Sequence, residues 1–236
     1  MATTSGIQKL AAWAEAFPDF PSRDKVKAKM VELMNDEKTA APGATTHSLL
    51  EAKDILKKTS PAMAKDIILL ELSGIGRSGM DGLIQYLLAS DFFDAPASAT
   101  HHLAIPGGLA LHGLGVSLAL EFLCGMTGGT FNADSRKIVG LLHDVCKIAF
   151  YKQDDAGRYR INDAEPLGHG EKSVIILQRY IRLTRAEMLA IRWHMGAWYA
   201  EGSMQRAALD QAMEESELLR LLMIADQWAT FFLEER

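Results

Sequence analysis

The chain has 236 residues, 48% hydrophobic and 23% charged, a globular balance that excludes bulk disorder, low-complexity fibres and any mini-scaffold dependent on staples. Its formal net charge of −5 argues against wholesale coating of a nucleic-acid backbone. The charge is uneven: Arg136 to Arg192 holds 11 basic and 7 acidic residues, a local +4, and the rest of the chain stands at −9, so one stretch can attract a compact anion.

The helical period dominates and no alternating run is long enough to define a strand, so the fold class expected is all-α. The N-terminal part, 1–73, predicts helices near Ile7–Phe17, Asp24–Asn35, Thr46–Lys57 and Pro61–Leu72, broken by Pro18–Pro21 and by the turn Ala40–Ala44. A join at Ser73-Gly74-Ile75-Gly76, which lacks the spacing and preceding strand of a phosphate loop, leads into a second part, 74–236. There the pattern predicts helices near Gly79–Ala89, Gly108–Leu123, Asp134–Ala149, Gly170–Tyr180, Arg185–His194 and Glu214–Leu233. Between them lie an irregular loop, DFFDAPASATHHLAIPGG, and polar loops over Lys152–Pro166 and Gly196–Ser203. Unbroken apolar runs such as Ile67–Leu70 fall short of the ~18 residues of a membrane span, the N-terminus lacks a basic start with an apolar core, and only Cys124 and Cys146 are cysteine. A cytoplasmic protein with no membrane partner is expected.

The chemistry concentrates in the histidines. His112, His143, His169 and His194 are spaced 31, 26 and 25 residues apart, each in or beside a different expected helix; Asp144 follows His143 directly, and Asp226 lies 32 residues after His194. Six candidate ligands on successive helices can converge if the helices point inward at one place. Imidazole mixed with carboxylate suits Mn, Fe, Co, Ni or Zn, whereas an all-oxygen cage would suit Mg or Ca. Side chains at adjacent helical positions diverge by ~100°, so His143 and Asp144 can approach a cluster from different sides, the carboxylate able to bridge two ions.

This ordered string, with its words GGLALH (Gly107–His112), LLHDVCK (Leu141–Lys147), GHGEKS (Gly168–Ser173), AIRWHMG (Ala190–Gly196) and ADQWAT (Ala225–Thr230), resembles the HD superfamily of metal-dependent phosphohydrolases. DFFDAPAS at Asp91–Ser98 is similar to a group of small HD-domain hydrolases often carried by phages and prophages. The resemblance runs from about Leu70 to the C-terminus and implies an HD-domain helical bundle over 74–236 behind an N-terminal helical extension over 1–73. Carried over, His112, His143, Asp144 and Asp226 match the holders of a first metal, and His169 and His194 those that complete a second. Some two-metal relatives have a further histidine where this chain has Met195, so one or two divalent ions (Mn, Fe, Co, Ni, Zn or Mg) are expected. The chemistry implied is attack on phosphorus by a hydroxide whose pKa the metal lowers, with Asp144 catalytic.

Lys147, four residues after His143, is expected one helical turn on, where it would steady phosphate charge as a catalytic and substrate-binding group without touching the metal. His102, Lys152 and Lys172 are further candidate substrate contacts. Arg192 is ranked below the lysines, and Cys146, with no obvious base, is read as a small buried hydrophobe. The function expected is hydrolysis of a nucleotide phosphoester: a nucleotide phosphatase, a dNTP hydrolase or a cyclic-nucleotide phosphodiesterase. Two alternatives stay open. HHLAIPGGLALH resembles a stretch of HD-type 3′–5′ exoribonucleases, which would make single-stranded nucleic acid the partner, and a non-catalytic nucleotide-sensing module would bind without turnover.

Overall fold

A computed structural model describes residues 49–129, 131–162, 167–196, 200 and 202–234. The expected helices Ile7–Phe17 and Asp24–Asn35 and the expected turn Ala40–Ala44 lie outside these residues. The described elements are α1 (Leu49–Lys58), α2 (Pro61–Ser73), α3 (Met80–Ala89), α4 (Gly108–Thr127), α5 (Ala133–Leu142), a 3₁₀ turn (Val145–Lys147), β1 (Tyr151–Gln153), β2 (Tyr159–Ile161), α6 (His169–Gln178), α7 (Arg185–Trp193), α8 (Gly202–Glu215), α9 (Glu217–Trp228) and a π-turn (Ala229–Leu233). The class is all-α.

The hub is α4. At 20 residues it is long and apolar enough to cross a membrane by length and composition alone, but most of it is buried in this fold, where α1, α2, α5 and α9 pack around it. On the far side α9 meets α7, and α7 meets α6. Leu72, Leu109, Leu120, Ile138, Leu142, Leu219 and Leu222 belong to one continuous hydrophobic core, so α1 and α2 share their core with the helices that follow Gly74.

Two glycines set how closely α4 and α5 cross. A Cβ on Gly113 would stand 2.7 Å from the Leu141 carbonyl oxygen, and one on Gly140 would stand 2.8 Å from the Ser117 Cα. Both neighbours are backbone, so only glycine permits the approach. Gly113 follows His112 and Gly140 precedes His143 by three, so the crossing brings those two imidazoles together, with ring centroids 5.3 Å apart. Gly170 plays the same part between α6 and α7, where its Cβ would meet the Arg192 carbonyl oxygen at 2.1 Å.

Local chemistry explains where the structure departs from the sequence expectation. The helix expected over Asp134–Ala149 ends at Leu142. His143 takes the cap and turns its Nδ1 back onto the Gly140 carbonyl at 3.1 Å, Asp144 leaves the helical region at φ −101°, ψ 18°, and the Asp91 carboxylate captures the Ala149 N–H at 2.9 Å. The expected loop over Lys152–Pro166 contains a hairpin, Tyr151–Gln153 against Tyr159–Ile161. Its turn is built by Asp154, whose side chain accepts from the N–H groups of Ala156 and Arg158. Three-residue strands are too short for a period-2 signal. The helix expected over Glu214–Leu233 is interrupted by Ser216, whose Oγ accepts from the Leu219 N–H to start α9 afresh, and α8, which buries only Leu209 and Ala212, occupies sequence expected to follow a loop.

Candidate metal centre

Five elements deliver the six candidate ligands: α4 carries His112, the end of α5 and the turn after it carry His143 and Asp144, α6 opens on His169, α7 ends on His194, and α9 carries Asp226. The structure brings all six together, with Asp144 in the middle. Its Oδ1 lies 2.5 Å from His169 Nε2 and 3.3 Å from His194 Nε2, while its Oδ2 lies 3.6 Å from both His112 Nε2 and His143 Nε2. His112 Nε2 is also 3.2 Å from Asp226 Oδ1. One oxygen of Asp144 thus faces one pair of histidines and the other oxygen faces the other pair.

Three of the four ligand histidines have a hydrogen-bonding oxygen behind them on Nδ1. Nδ1 of His143 lies 3.1 Å from the Gly140 carbonyl, Nδ1 of His194 lies 2.8 Å from the Ile191 carbonyl, and Nδ1 of His112 lies 2.6 Å from Glu234 Oε1. All three partners can only accept, so Nδ1 carries a proton in each and Nε2 is the atom turned to the cluster. Nε2 of His143 and Nε2 of His194 are buried and have no hydrogen-bond partner. A buried nitrogen left unpaired costs on the order of 1–3 kcal/mol, and two such atoms aimed at one carboxylate are what a cation site requires. The donor set therefore fits a divalent metal with nitrogen and oxygen preference. The groups His112/His143/Asp226, His143/Asp144/His194 and Asp144/Cys146/His169 each place their ligand atoms within 4.8 Å of one another.

The electrostatics divide the histidines: burial opposes the charged form of His194, but Asp144 and Asp226 outweigh it and raise that imidazole. Burial pushes His143 down to about 3, so it stays neutral, and burial likewise lowers His169. Burial also opposes the charged form of His112, but Glu234 and Asp226 outweigh it and raise this imidazole to about 10; without a metal, a proton supplies the positive charge that the carboxylates demand. Asp144, although buried, is held well below the carboxylate range by Lys147 and the surrounding histidines.

The substrate candidates divide. Lys147 lies not on a helix face one turn past His143 but on the 3₁₀ turn, its Nζ 2.6 Å from Asp144 Oδ2 and 2.5 Å from the Ala97 carbonyl. It touches a candidate ligand directly, and what this corrects is the expected helix-face placement. His102 also reaches the cluster, its ring 4.8 Å from that of His112 and its Nδ1 2.5 Å from Glu234 Oε2. Lys172 directs Nζ towards the Ile148 carbonyl at 3.4 Å, and Lys152 sits on the exposed hairpin. Arg192 pairs with Glu171 and stacks on Trp193. Cys146 is buried and its Sγ lies 3.3 Å from His169 Nδ1, so it backs a ligand as well as filling space; burial raises its thiol to about 12, which removes it as a nucleophile.

Glu234 has no counterpart in the sequence expectation. It ends an apolar stretch, ATFFLE, and nothing in its spacing from Asp226 announces that the π-turn will carry its carboxylate to His112.

A family model for the HD domain matches residues 109–230. The chain belongs to the HD domain family. That match spans just over half the chain and contains all six candidate ligands, and HD domains are in general metal-dependent phosphohydrolases. No curated protein and no solved structure matches the chain.

Proposed function

We propose that this HD-domain protein hydrolyses a phosphoester of a small nucleotide in a reducing, cytoplasmic setting. The observation that carries the hydrolase reading is the pair of buried, unpartnered Nε2 atoms of His143 and His194 turned towards Asp144. A small substrate is supported by the seclusion of the cluster: the side chains of His112, His143 and His194 are at most 2% exposed, a depth that a compact phosphate reaches more readily than a stacked strand. The two cysteines are free buried thiols, which supports the compartment. Likeness to the small phage-type hydrolases rests on Asp91–Ser98, ahead of the matched span.

His112, His143, Asp144 and Asp226 would hold one divalent ion, and His169 and His194, sharing Asp144, would hold a second. When bound, such ions supply a low-pKa water and neutralise phosphate oxygens. The protein's own part is arrangement. Asp144 keeps two histidine pairs in register through its two oxygens, and Lys147 neutralises Asp144 while holding the carbonyl of Ala97 in the segment that leads to His102. His102, anchored through Nδ1, is placed to contact a substrate phosphate.

The test is chelator-stripped protein reloaded with Mn, Fe, Co, Ni, Zn or Mg and offered nucleoside mono-, di- and triphosphates, cyclic nucleotides and single-stranded oligonucleotides, with products resolved by chromatography. Turnover of free nucleotides supports the reading. Preferential trimming of oligonucleotide ends would replace it with the exonuclease reading, and metal binding without turnover of any phosphoester would leave a nucleotide-sensing module.

A further inference from the structure

The four histidines do not obtain their orienting partners in the same way. His143 and His194 are the C-terminal caps of α5 and α7, where the last-turn carbonyls have no partner within the helix, and each turns Nδ1 onto the carbonyl three residues back. His169 opens α6 and is gripped through Nε2 by Asp144. His112 is different. It lies inside α4, four residues from its start, where the neighbouring carbonyls are engaged by the helix itself. No local acceptor is free, so its Nδ1 needs one from elsewhere in the fold.

Glu234 supplies it. After α9 the chain enters the π-turn Ala229–Leu233, a form that recurs at functional sites, and closes it with the Glu234 N–H donating to the Ala229 carbonyl at 3.0 Å. The Glu234 side chain is fully buried, with Oε1 2.6 Å from His112 Nδ1 and Oε2 2.5 Å from His102 Nδ1. A buried carboxylate is costly unless fully paired, and this one is paired with two imidazoles. Both Glu234 and His102 lie outside residues 109–230, so they add to the ligand set that the family match contains. His102 is itself held by a tight loop, where its carbonyl accepts from Ser98 Oγ at 2.8 Å and Leu103 takes a positive φ of 43°.

We propose that Glu234 is a positioning residue for the metal centre: it fixes His112 in the Nδ1–H tautomer that presents Nε2 to a divalent cation, and through its second oxygen it fastens the His102 loop to the same ligand. This inference rests on the reading of His112 as a ligand. Removing a carboxylate behind a ligating histidine lowers metal affinity about 10- to 100-fold, whereas an amide oxygen still accepts from Nδ1–H.

The test is titration of chelator-stripped protein with Co(II), followed by calorimetry and by visible absorption. Glu234→Ala should bind Co(II) about 10- to 100-fold more weakly with an altered band, and Glu234→Gln should recover to within about threefold. Wild-type affinity and spectrum in a folded Glu234→Ala, or Glu234→Gln binding as weakly as the alanine variant, would overturn the proposal alone. Wild-type protein that binds no Co(II) would overturn the metal reading and the proposal with it. Should Glu234→Ala fail to fold, nitrogen-proton NMR correlation on Zn(II)-loaded wild-type protein decides: a proton on Nδ1 of His112 is expected, and a proton on Nε2 refutes it.

Discussion

The ammonium of Lys147 lies 2.6 Å from Oδ2 of Asp144. Both groups are buried, and the pair joins the centre of the ligand cluster to the Ala97 carbonyl. Deleting one partner of a buried pair strands the other, at a cost of about 3–5 kcal/mol. A divalent ion beside Asp144 would restore the missing positive charge. Lys147→Met should therefore melt well below wild type when metal-free, and gain more than wild type when Mn(II) or Zn(II) is added. Its kcat/KM should fall roughly 10- to 1000-fold, equivalent to about 1.4–4 kcal/mol, because Asp144 loses its counter-charge and the Ala97 carbonyl its donor. Equal melting shifts on metal addition in both proteins would mean that Lys147 and Asp144 are not coupled through the site.

Asp144 itself should be indispensable. It is the group common to both histidine pairs, so Asp144→Ala removes the acceptor that the two pairs share. Hydrolysis should drop by about three orders of magnitude or more, and elemental analysis should find metal lost. The far-ultraviolet dichroism should stay helical, since α1, α2 and α3 are held by the continuous hydrophobic core. Retention of metal and turnover would show that the His143-Asp144 pair is ornamental. His143→Ala should behave similarly.

The crossing of α4 and α5 gives a third expectation. Alanine at Gly140 would gain up to about 1 kcal/mol of helix propensity. Its Cβ, however, would stand 2.8 Å from the backbone of Ser117, which cannot step aside as a side-chain tip can, and overpacking of this kind costs about 1–3 kcal/mol. The clash should win. Gly140→Ala is expected to lower Tm and to weaken metal binding, because α5 moves His143 away from His112 when it retreats. A variant as stable and as metal-avid as wild type would show that the helices can separate without disturbing the site.

How much of this was legible beforehand depends on the range of the interaction. His112, His143, His169, His194 and Asp226 could be placed on separate helices because helical periodicity and cap residues are local signals, and Arg185–Trp193 with its Thr184–Glu187 capping box is such a case. The break after Leu142 was not legible: one of the contacts that goes with it is Asp91 reaching across the fold to Ala149. A partner more than fifty residues away leaves no mark on periodicity. Glu234 escaped notice for the same reason: its value comes from a π-turn and from two histidines 122 and 132 residues earlier. Lys147 shows the converse, since correct sequence proximity to His143 led to the wrong neighbour once the helix ended.

The last expectation lies outside the cluster and carries a pH signature. Arg77, in the join after α2, reaches Glu187 in the first turn of α7 with two contacts of 2.7 and 2.8 Å, and the Glu187 side chain is fully buried. Burial alone would raise the Glu187 carboxyl, but Arg77, Ser135 and the Thr184 N–H outweigh it and hold it below its ordinary value of 4.5. A carboxyl lowered in the folded state contributes stability that is fully present above the unfolded value and is lost as pH falls through the folded one. In Arg77→Met the opposing charge is gone and burial prevails, so Glu187 is drawn upward and penalises folding at neutral pH. The variant should be less stable by about 3 kcal/mol at pH 7, the low end for a broken buried pair because Arg77 is partly open to solvent. The gap should begin to narrow above pH 4.5, as the variant protonates its stranded, upward-drawn carboxyl, and go on narrowing below about pH 4.5, where wild type forfeits the pair. Urea unfolding midpoints for both proteins at pH 7 and pH 3.5 measure this directly. A gap that stays constant across that range would mean that Arg77 acts by packing its stem and not by its charge.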